Sequence, residues 1–489
     1  MSAVDQREEL SADVSPQKLR RAAVWYVYAT PIVVGMLLVL MFTVESGIVV
    51  GALAFVLLLW LMFLRIPVGL TLGIVGVLGI FILAGGNAAS SMLRGSAWTS
   101  SASWTLSVIP MFIFMGMIME RSGLGSTVFG AVRALVGRTP AGLAVSTNFA
   151  GAAMGAASGS TLGIVYALGR TGIPEMVKAG YDRRFAAGAV LMAGTGGQLI
   201  PPSILLVIYA GIAQVPVGQQ LMAGVVPGVL IHVAFAFMMV VMVLVRPSLA
   251  PRRDGEKLPI GRRLGAIVGL WPVIVLIAVV LGGLYAGVFT PTEAGAFGAL
   301  AALVMVGLTK GLKVLGRAVL PAVRDTVIAT GGIFLIIIGG DMFGRFMTVT
   351  GIPRAFTTWL EDVGAGPVVF MIFVLVLYLL LGTFMDPVPM MLVTVPILLP
   401  VAMSVGVNPL IFGVFVVLLG ELAVLTPPVG VLVFVVHRIA REAKVPMTLS
   451  EVNQGAAWFY PVTILFALLL ILFPDLFLWL PEAMNQTAP

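Results

Sequence analysis

The chain has 489 residues, of which 60% are hydrophobic and only 10% charged, too little polar surface to clothe a water-soluble globule. Its formal charge is +7, but Lys and Arg fall between apolar runs and form no basic face with interleaved aromatics, so nucleic acid is excluded and topology explains them. No cysteine is present, which removes disulfides, zinc thiolates and iron–sulfur clusters.

A polar tail at 1–23, with Arg7, Lys18, Arg20 and Arg21, precedes a first apolar run at 24–46. Four acids lie in that tail and no small-residue cleavage site follows the run, so it is expected to persist as a span and not as a signal peptide. Further runs at 47–64, 67–84, 104–119, 221–245, 266–289, 292–309, 327–340, 366–381 and 457–480 reach or approach the roughly 20 apolar residues of a span. With shorter broken segments added, about twelve to fourteen membrane elements are expected. Arg246, Arg252, Arg253, Lys257, Arg262 and Arg263, diluted only by Asp254 and Glu256, mark a cytoplasmic loop at 246–263 on the side of the N-terminal tail.

Sliding the chain on itself reveals a repeat. A shift of 226 carries Pro174 onto Pro400, Gly180 onto Gly406, Gly194 onto Gly420, Leu199 onto Leu425, Pro201 onto Pro427, Pro202 onto Pro428 and Val207 onto Val433. Chance would give roughly 0.1 proline pairs over such a window, against three observed. Upstream, Ser122-Gly123-Leu124 matches Thr350-Gly351-Ile352 at a shift of 228. The halves run from about 67 to 245 and from 266 to 480. An odd number of crossings per half would invert them, which is the arrangement expected, although hydropathy does not count the crossings.

Each half is expected to break twice. The apolar run from Pro140 reaches Ser158-Gly159-Ser160-Thr161, leaving only Leu162 to Gly169 before Arg170, a rise of about 13 Å that cannot span the bilayer and predicts a re-entrant hairpin. The second tip is Gly382-Thr383-Phe384-Met385-Asp386-Pro387. Later, Gly194-Thr195-Gly196-Gly197-Gln198 runs into Pro201-Pro202-Ser203, and Glu421 to Leu425 runs into Thr426-Pro427-Pro428. Paired prolines remove two donors and free nearby carbonyls.

Unwound backbone at membrane depth must line a cavity or bind an ion. The expected cation ligands, from side chains and freed carbonyls, are Ser158, Gly159, Ser160, Gly194, Thr195, Gly197 and Pro201 in the first half. In the second they are Gly382, Thr383, Asp386, Leu425, Thr426 and Pro427. Between the two sets, Ser160, Thr161, Gln198, Pro202, Ser203, Pro387 and Pro428 are expected to line an anion's path, favoured by the helix N-termini that follow the tips. Close packing of small residues is the plainer reading of the tips, and helix capping that of Asp386. Asp341 and Glu421 lie within apolar runs and stand either as coupling acids or as partners of an arginine such as Arg345. The two histidines, His232 and His437, read as structural, and no metal other than sodium is expected. No nucleophile or metal constellation is present, so an enzyme is not expected.

At these residues the chain resembles the large membrane subunit of tripartite ATP-independent periplasmic (TRAP) transporters, the DctM-like family. The resemblance covers residues 60–480. It rests on Ile109-Pro110-Met111-Phe112 with Gly116, Ser158-Gly159-Ser160, Gly180-Tyr181-Asp182, Leu199-Ile200-Pro201-Pro202-Ser203, Thr290-Pro291-Thr292-Glu293-Ala294, Pro396-Ile397-Leu398-Leu399-Pro400 and Leu425-Thr426-Pro427-Pro428-Val429-Gly430. It implies an all-α polytopic membrane protein of the elevator-type ion-transporter fold in a bacterial or archaeal cytoplasmic membrane. A transport domain from 106–220 and 331–455 would slide against scaffold segments 47–105 and 221–330, with 456–489 a last helix and tail. It further implies a sodium gradient with no other cofactor, an organic acid as substrate, a periplasmic substrate-binding protein and a small membrane subunit. The helix at 24–46 is extra to the usual large subunit and too short to be that small partner, which is therefore expected on a separate chain. A stand-alone sodium- or proton-coupled anion carrier is the alternative.

Overall fold

A computed structural model describes residues 16–251, 259–427 and 430–487, and every regular element in them is helical. Pro428, Arg7, and the charges from Arg252 to Lys257 lie outside the described residues. Six helices are long and apolar enough to cross a membrane, and seven shorter apolar ones accompany them. The first helix, α1 (Pro16–Thr43), begins in the polar tail, and α2 (Gly47–Phe63) returns beside it.

Close helix packing is built on glycine. Helix α3 (Val68–Ser101) lies along Leu312–Thr350, and a Cβ at Gly69 would stand 2.6 Å from the Leu335 carbonyl, one at Gly76 2.7 Å from Met342, and one at Gly79 2.2 Å from the Phe346 ring. In lipid such backbone contact replaces the hydrophobic drive that water supplies. The contacts advance together along both helices, which therefore run parallel. Helix α3 kinks at Gly85, whose φ of 84° is left-handed. Beyond the kink the segment carries Asn87, Ser90, Arg94, Thr99 and an exposed Trp98.

The repeat is visible in helix boundaries. Helices α4 (Val108–Arg121) and α5 (Leu124–Val136) lead to α6 (Gly142–Ser158), α7 (Thr161–Lys178), α8 (Arg183–Gly197) and α9 (Ile204–Ala213). After α10 (Val217–Val245), α11 (Ile260–Gly269), α12 (Trp271–Tyr285) and α13 (Pro291–Lys310), the 39-residue α14 (Leu312–Thr350) opens the second series. It continues with α15 (Ile352–Asp362), α16 (Pro367–Leu381), α17 (Pro387–Ser404), α18 (Pro409–Ala423) and α19 (Val431–Glu442). Helices α7 and α17 both have 18 residues, α8 and α18 both have 15, and each pair starts and stops 226 positions apart. Gly123 and Gly351, matched at 228, both adopt left-handed φ, 72° and 77°, to start α5 and α15. Leu449–Leu472 forms one more crossing, and a final helix covers Asp475–Thr487.

Helix α10 shows that the repeats are inverted. Its 29 residues rise about 43 Å, enough to reach both membrane faces. Near its N-terminus Gln220 Nε2 donates to the Leu410 carbonyl at the base of the second hairpin, at 3.1 Å. Just past its C-terminus the Leu249 carbonyl accepts from the Asp182 N–H at the base of the first, at 2.8 Å. The two hairpins therefore enter from opposite faces. The face of the first hairpin carries Arg133, Arg138, Lys178, Arg183, Arg184 and Arg246 against Glu175 and Asp182, and the face of the second carries Glu361, Asp362 and Asp475 against Arg354.

One expectation fails. The helix after the first tip does not stop at Arg170 but continues to Lys178. Arg170 lies on its exposed side with its guanidinium 5.3 Å from the Tyr166 ring centroid, so a long side chain carries the charge outward without ending the helix.

Candidate functional site

Both hairpins and both helix breaks form as expected, and each tip sits on the break of its own half. Gly159, left-handed at φ 55°, turns the chain between α6 and α7, and a Cβ there would stand 2.9 Å from the Pro202 carbonyl. Behind it a Cβ at Gly155 would come within 2.2 Å of the Gly197 carbonyl, and one at Gly151 within 2.3 Å of Ala193. In the second half a Cβ at Gly382 would meet the Ala423 Cβ at 1.9 Å, and one at Gly420 would lie 3.0 Å from Pro387. The small residues thus serve packing and turning together.

The first break runs from Gln198 to Ser203, between α8 and α9, and contains a cis Pro201–Pro202 bond. Pro201, Pro202 and Ser203 are buried in protein, as backbone without helical partners must be in lipid. The second break takes in Val424 to Pro427 and Gly430 among the described residues. Its Leu425 carbonyl accepts from the Tyr460 hydroxyl at 2.8 Å, while Thr426 is half-buried and Pro427 exposed.

The hydroxyls named from the sequence share one geometry. Ser158 donates to the Met154 carbonyl at 2.9 Å, Thr195 to Leu191 at 3.2 Å, Thr383 to Leu380 at 2.7 Å and Thr426 to Ala423 at 2.8 Å. Each proton is thereby turned into its own helix, leaving oxygen lone pairs to accept. Ser160 and Ser203 instead cap α7 and α9, accepting from the Gly163 N–H at 3.2 Å and the Leu206 N–H at 3.3 Å. Gln198 is buried and its Oε1 has no hydrogen-bond partner in the protein, the kind of vacancy in polar pairing that a bound group fills. Asp386 occupies the N-cap position of α17 yet makes no capping bond. The capping reading of that residue is therefore not what the side chain does.

The two intramembrane acids part company. Asp341 accepts from Arg345 Nε at 3.0 Å within α14 and lines a cavity of about 1020 Å³ shared with Gln214, Gln219 and Thr348. None of the tip residues borders that cavity, and Asp341 is paired there with the arginine the sequence offers it. Glu421 is 3% exposed and accepts from the Thr161 hydroxyl at 2.9 Å, a bond from the first hairpin to the broken helix of the other half.

Three participants escape sequence reading. Glu120 reaches the first tip, where a Cβ at Gly163 would lie 2.8 Å from its carboxylate oxygen; beside Arg121, which pairs with Asp325, it looks like an ordinary helix end. Tyr460 holds the second break. Asn148 donates to the His232 carbonyl at 2.8 Å and its Oδ1 meets His232 Nδ1 at 2.9 Å, fixing α6 to α10 and giving this histidine the structural role expected. Partners separated by 84 or 35 positions leave no local pattern to find.

Inverted helical repeats with hairpins abutting broken helices define a class, the multi-pass membrane transporters built on paired repeats. The fold is shared with the solved YdaH transporter of Alcanivorax borkumensis, at a TM-score of 0.57 and 15% identity, covering 89% of this chain and 99% of that one. Residues 55–476 match the family model of the DctM component of the tripartite ATP-independent periplasmic transporter, and the chain belongs to that family. It is 31% identical to the C4-dicarboxylate TRAP transporter large permease protein DctM of Pseudomonas aeruginosa, covering 85% of this chain and 95% of the relative. It is also 31% identical to the ectoine TRAP transporter large permease protein TeaC of Halomonas elongata, covering 86% and 96%. An isethionate TRAP transporter permease protein of Oleidesulfovibrio alaskensis, named DctMQ, is 30% identical over 77% of this chain and 58% of its own length. These relatives are permeases and not enzymes.

Proposed function

We propose that this chain is the membrane permease of a three-part uptake system that imports a small organic acid on a sodium gradient. The observation that carries the reading is the pair of tip–break contacts entering from opposite faces, with hydroxyl lone pairs and the unpartnered Gln198 Oε1 gathered at them. Sodium needs several hard oxygens, which Ser158, Thr195, Thr383, Thr426, Asp386 and the freed carbonyls supply. Helices α7 and α17 begin at the tips, so their positive ends favour an anion between the two sites, along Thr161, Gln198, Ser203 and Pro387. The layer holding both hairpins would move as an elevator against α3 and α14. The basic face belongs to the cytoplasm by the positive-inside rule, in a bacterial or archaeal cytoplasmic membrane. A periplasmic binding protein would deliver the acid, and a small membrane subunit would sit on a separate chain.

Proteoliposomes with the candidate partners test this, with sodium, proton and potassium gradients imposed separately. Uptake of a carboxylate that requires both binding protein and sodium is expected. Sodium-independent uptake would remove the coupling assignment, and uptake without the binding protein would leave a stand-alone anion carrier.

A further inference from the structure

The cavity that holds the Asp341–Arg345 pair lies between the two layers. One wall belongs to the hairpin layer, with Ile208 and Gly211 of α9 and Leu392 of α17, and the other to α14 and the serine-rich segment beyond the Gly85 kink. The layers touch beside it, where a Cβ on Gly344 would stand 3.0 Å from Pro396. Arg345 is five residues from the end of α14 at Thr350, a rise of about 8 Å, and α10 begins on the same cavity. The space therefore belongs to the face of the second hairpin, opposite the basic face. Of the charged groups among the described residues, only Asp341 and Arg345 line it. Asp341 accepts from Nε alone, at 3.0 Å; no described hydrogen bond uses the two terminal nitrogens, and the arginine side chain is 56% exposed. A guanidinium held by Nε presents its remaining N–H groups as a fixed fork, the geometry that takes a carboxylate with two parallel bonds. The acid one turn back thus orients the fork without using it up. Val217 and Gly218, in the first turn of α10, border the same space with no side-chain cap, and the positive end of that helix adds to the field. At about 1020 Å³ the cavity reaches the upper end of small-molecule sites, so an acid of a few carbons would share it with water, held by one end and not enclosed.

We propose that this cavity is an antechamber for small carboxylates, in which Arg345 takes an acid arriving from the outer face before the tips receive it. The inference deepens the organic-acid reading above and rests on it only for the acid's being cargo. Because the chain lacks cysteine, Thr348→Cys, exposed on the cavity wall one turn from Arg345, gives a single thiol in the full chain in nanodiscs of zwitterionic lipid. Its rates of reaction with a negatively and a positively charged methanethiosulfonate are compared, alone and with succinate or neutral succinamide present. Succinate should slow the negative reagent severalfold and saturably, and succinamide should not. Adding Arg345→Gln should lower the negative-to-positive rate ratio severalfold and abolish the protection. Adding Arg345→Lys should keep the ratio, because the charge remains, and lose most of the protection, because the fork is gone. No slowing by succinate, equal slowing by succinamide, or protection that survives Arg345→Gln overturns the proposal. Should the glutamine variant fail to fold, full protection with lysine does the same. Loss of the succinate effect when anionic lipid is added to the discs would assign the arginine to a lipid headgroup and also overturn it. No uptake is measured, so a failure of sodium coupling or of the binding-protein requirement would leave this result standing.

Discussion

The two halves share a backbone plan and divide the charge. Ser160 and Asp386 occupy the same position at the heads of α7 and α17, and Thr195 and Glu421 the same position before the breaks. At these two positions a hydroxyl of the first half is answered by a carboxyl in the second. The first break is buried and the second partly open at Pro427. Duplication has therefore conserved where the chain unwinds, a property of Gly and Pro, while the side chains that decide what an unwound segment can hold have diverged.

The largest test of that comparison removes the break itself. Pro201→Ala with Pro202→Ala returns two N–H donors and lifts the bar to helical backbone, so uptake should fall at least about tenfold, the equivalent of about 1.4 kcal/mol. Pro427→Ala alone should cost less, because that break is exposed and Tyr460 still holds the Leu425 carbonyl. Equal losses in a proteoliposome assay would show that exposure does not distinguish the halves. Next in size is packing. Gly155→Leu should lower stability by about 1–3 kcal/mol or more, since the added atoms meet the Gly197 backbone, whereas Gly130→Leu, with nothing within 4 Å of a Cβ, should leave thermal unfolding in detergent unchanged.

Ser160→Ala removes a cap and should lower stability by about 1 kcal/mol, while Asp386→Asn, which loses no capping bond, should leave unfolding alone and weaken sodium activation of uptake. A destabilised Asp386→Asn would place that carboxyl in the fold and not in the site. The smallest effect belongs to Asp341→Asn. Its half-exposed pair with Arg345 is worth about 0.3–0.5 kcal/mol, and sodium activation should not change. A shift in sodium dependence would place Asp341 among the coupling groups.

What could be read without coordinates follows the same division. The repeat at 226, carried by Gly194, Pro201, Pro202 and their partners, marks the breaks that end α8 and α18, because Gly and Pro act on backbone locally. Inversion was expected but could not be counted, since hydropathy does not say which face a re-entrant helix enters. Arg170 misleads because a charge in an apolar run reads as the membrane boundary, although its stem lets the helix run on. Asp341 and Glu421 look alike in the sequence, and only the fold distinguishes their partners, an arginine four residues away for one and a threonine from across the molecule for the other.

The left-handed turn at Gly85 has a positional consequence. It leaves α3 with a membrane-crossing half and a serine-rich half ending near Trp98 and Trp104, both more than 70% exposed, at 74% and 77%. Indole rings settle at the boundary between lipid tails and headgroups, so in a bilayer this arm would act as a float. The α3–α14 pair to which it is fused would ride at one height in the bilayer, giving any vertical travel of the hairpins a fixed waterline.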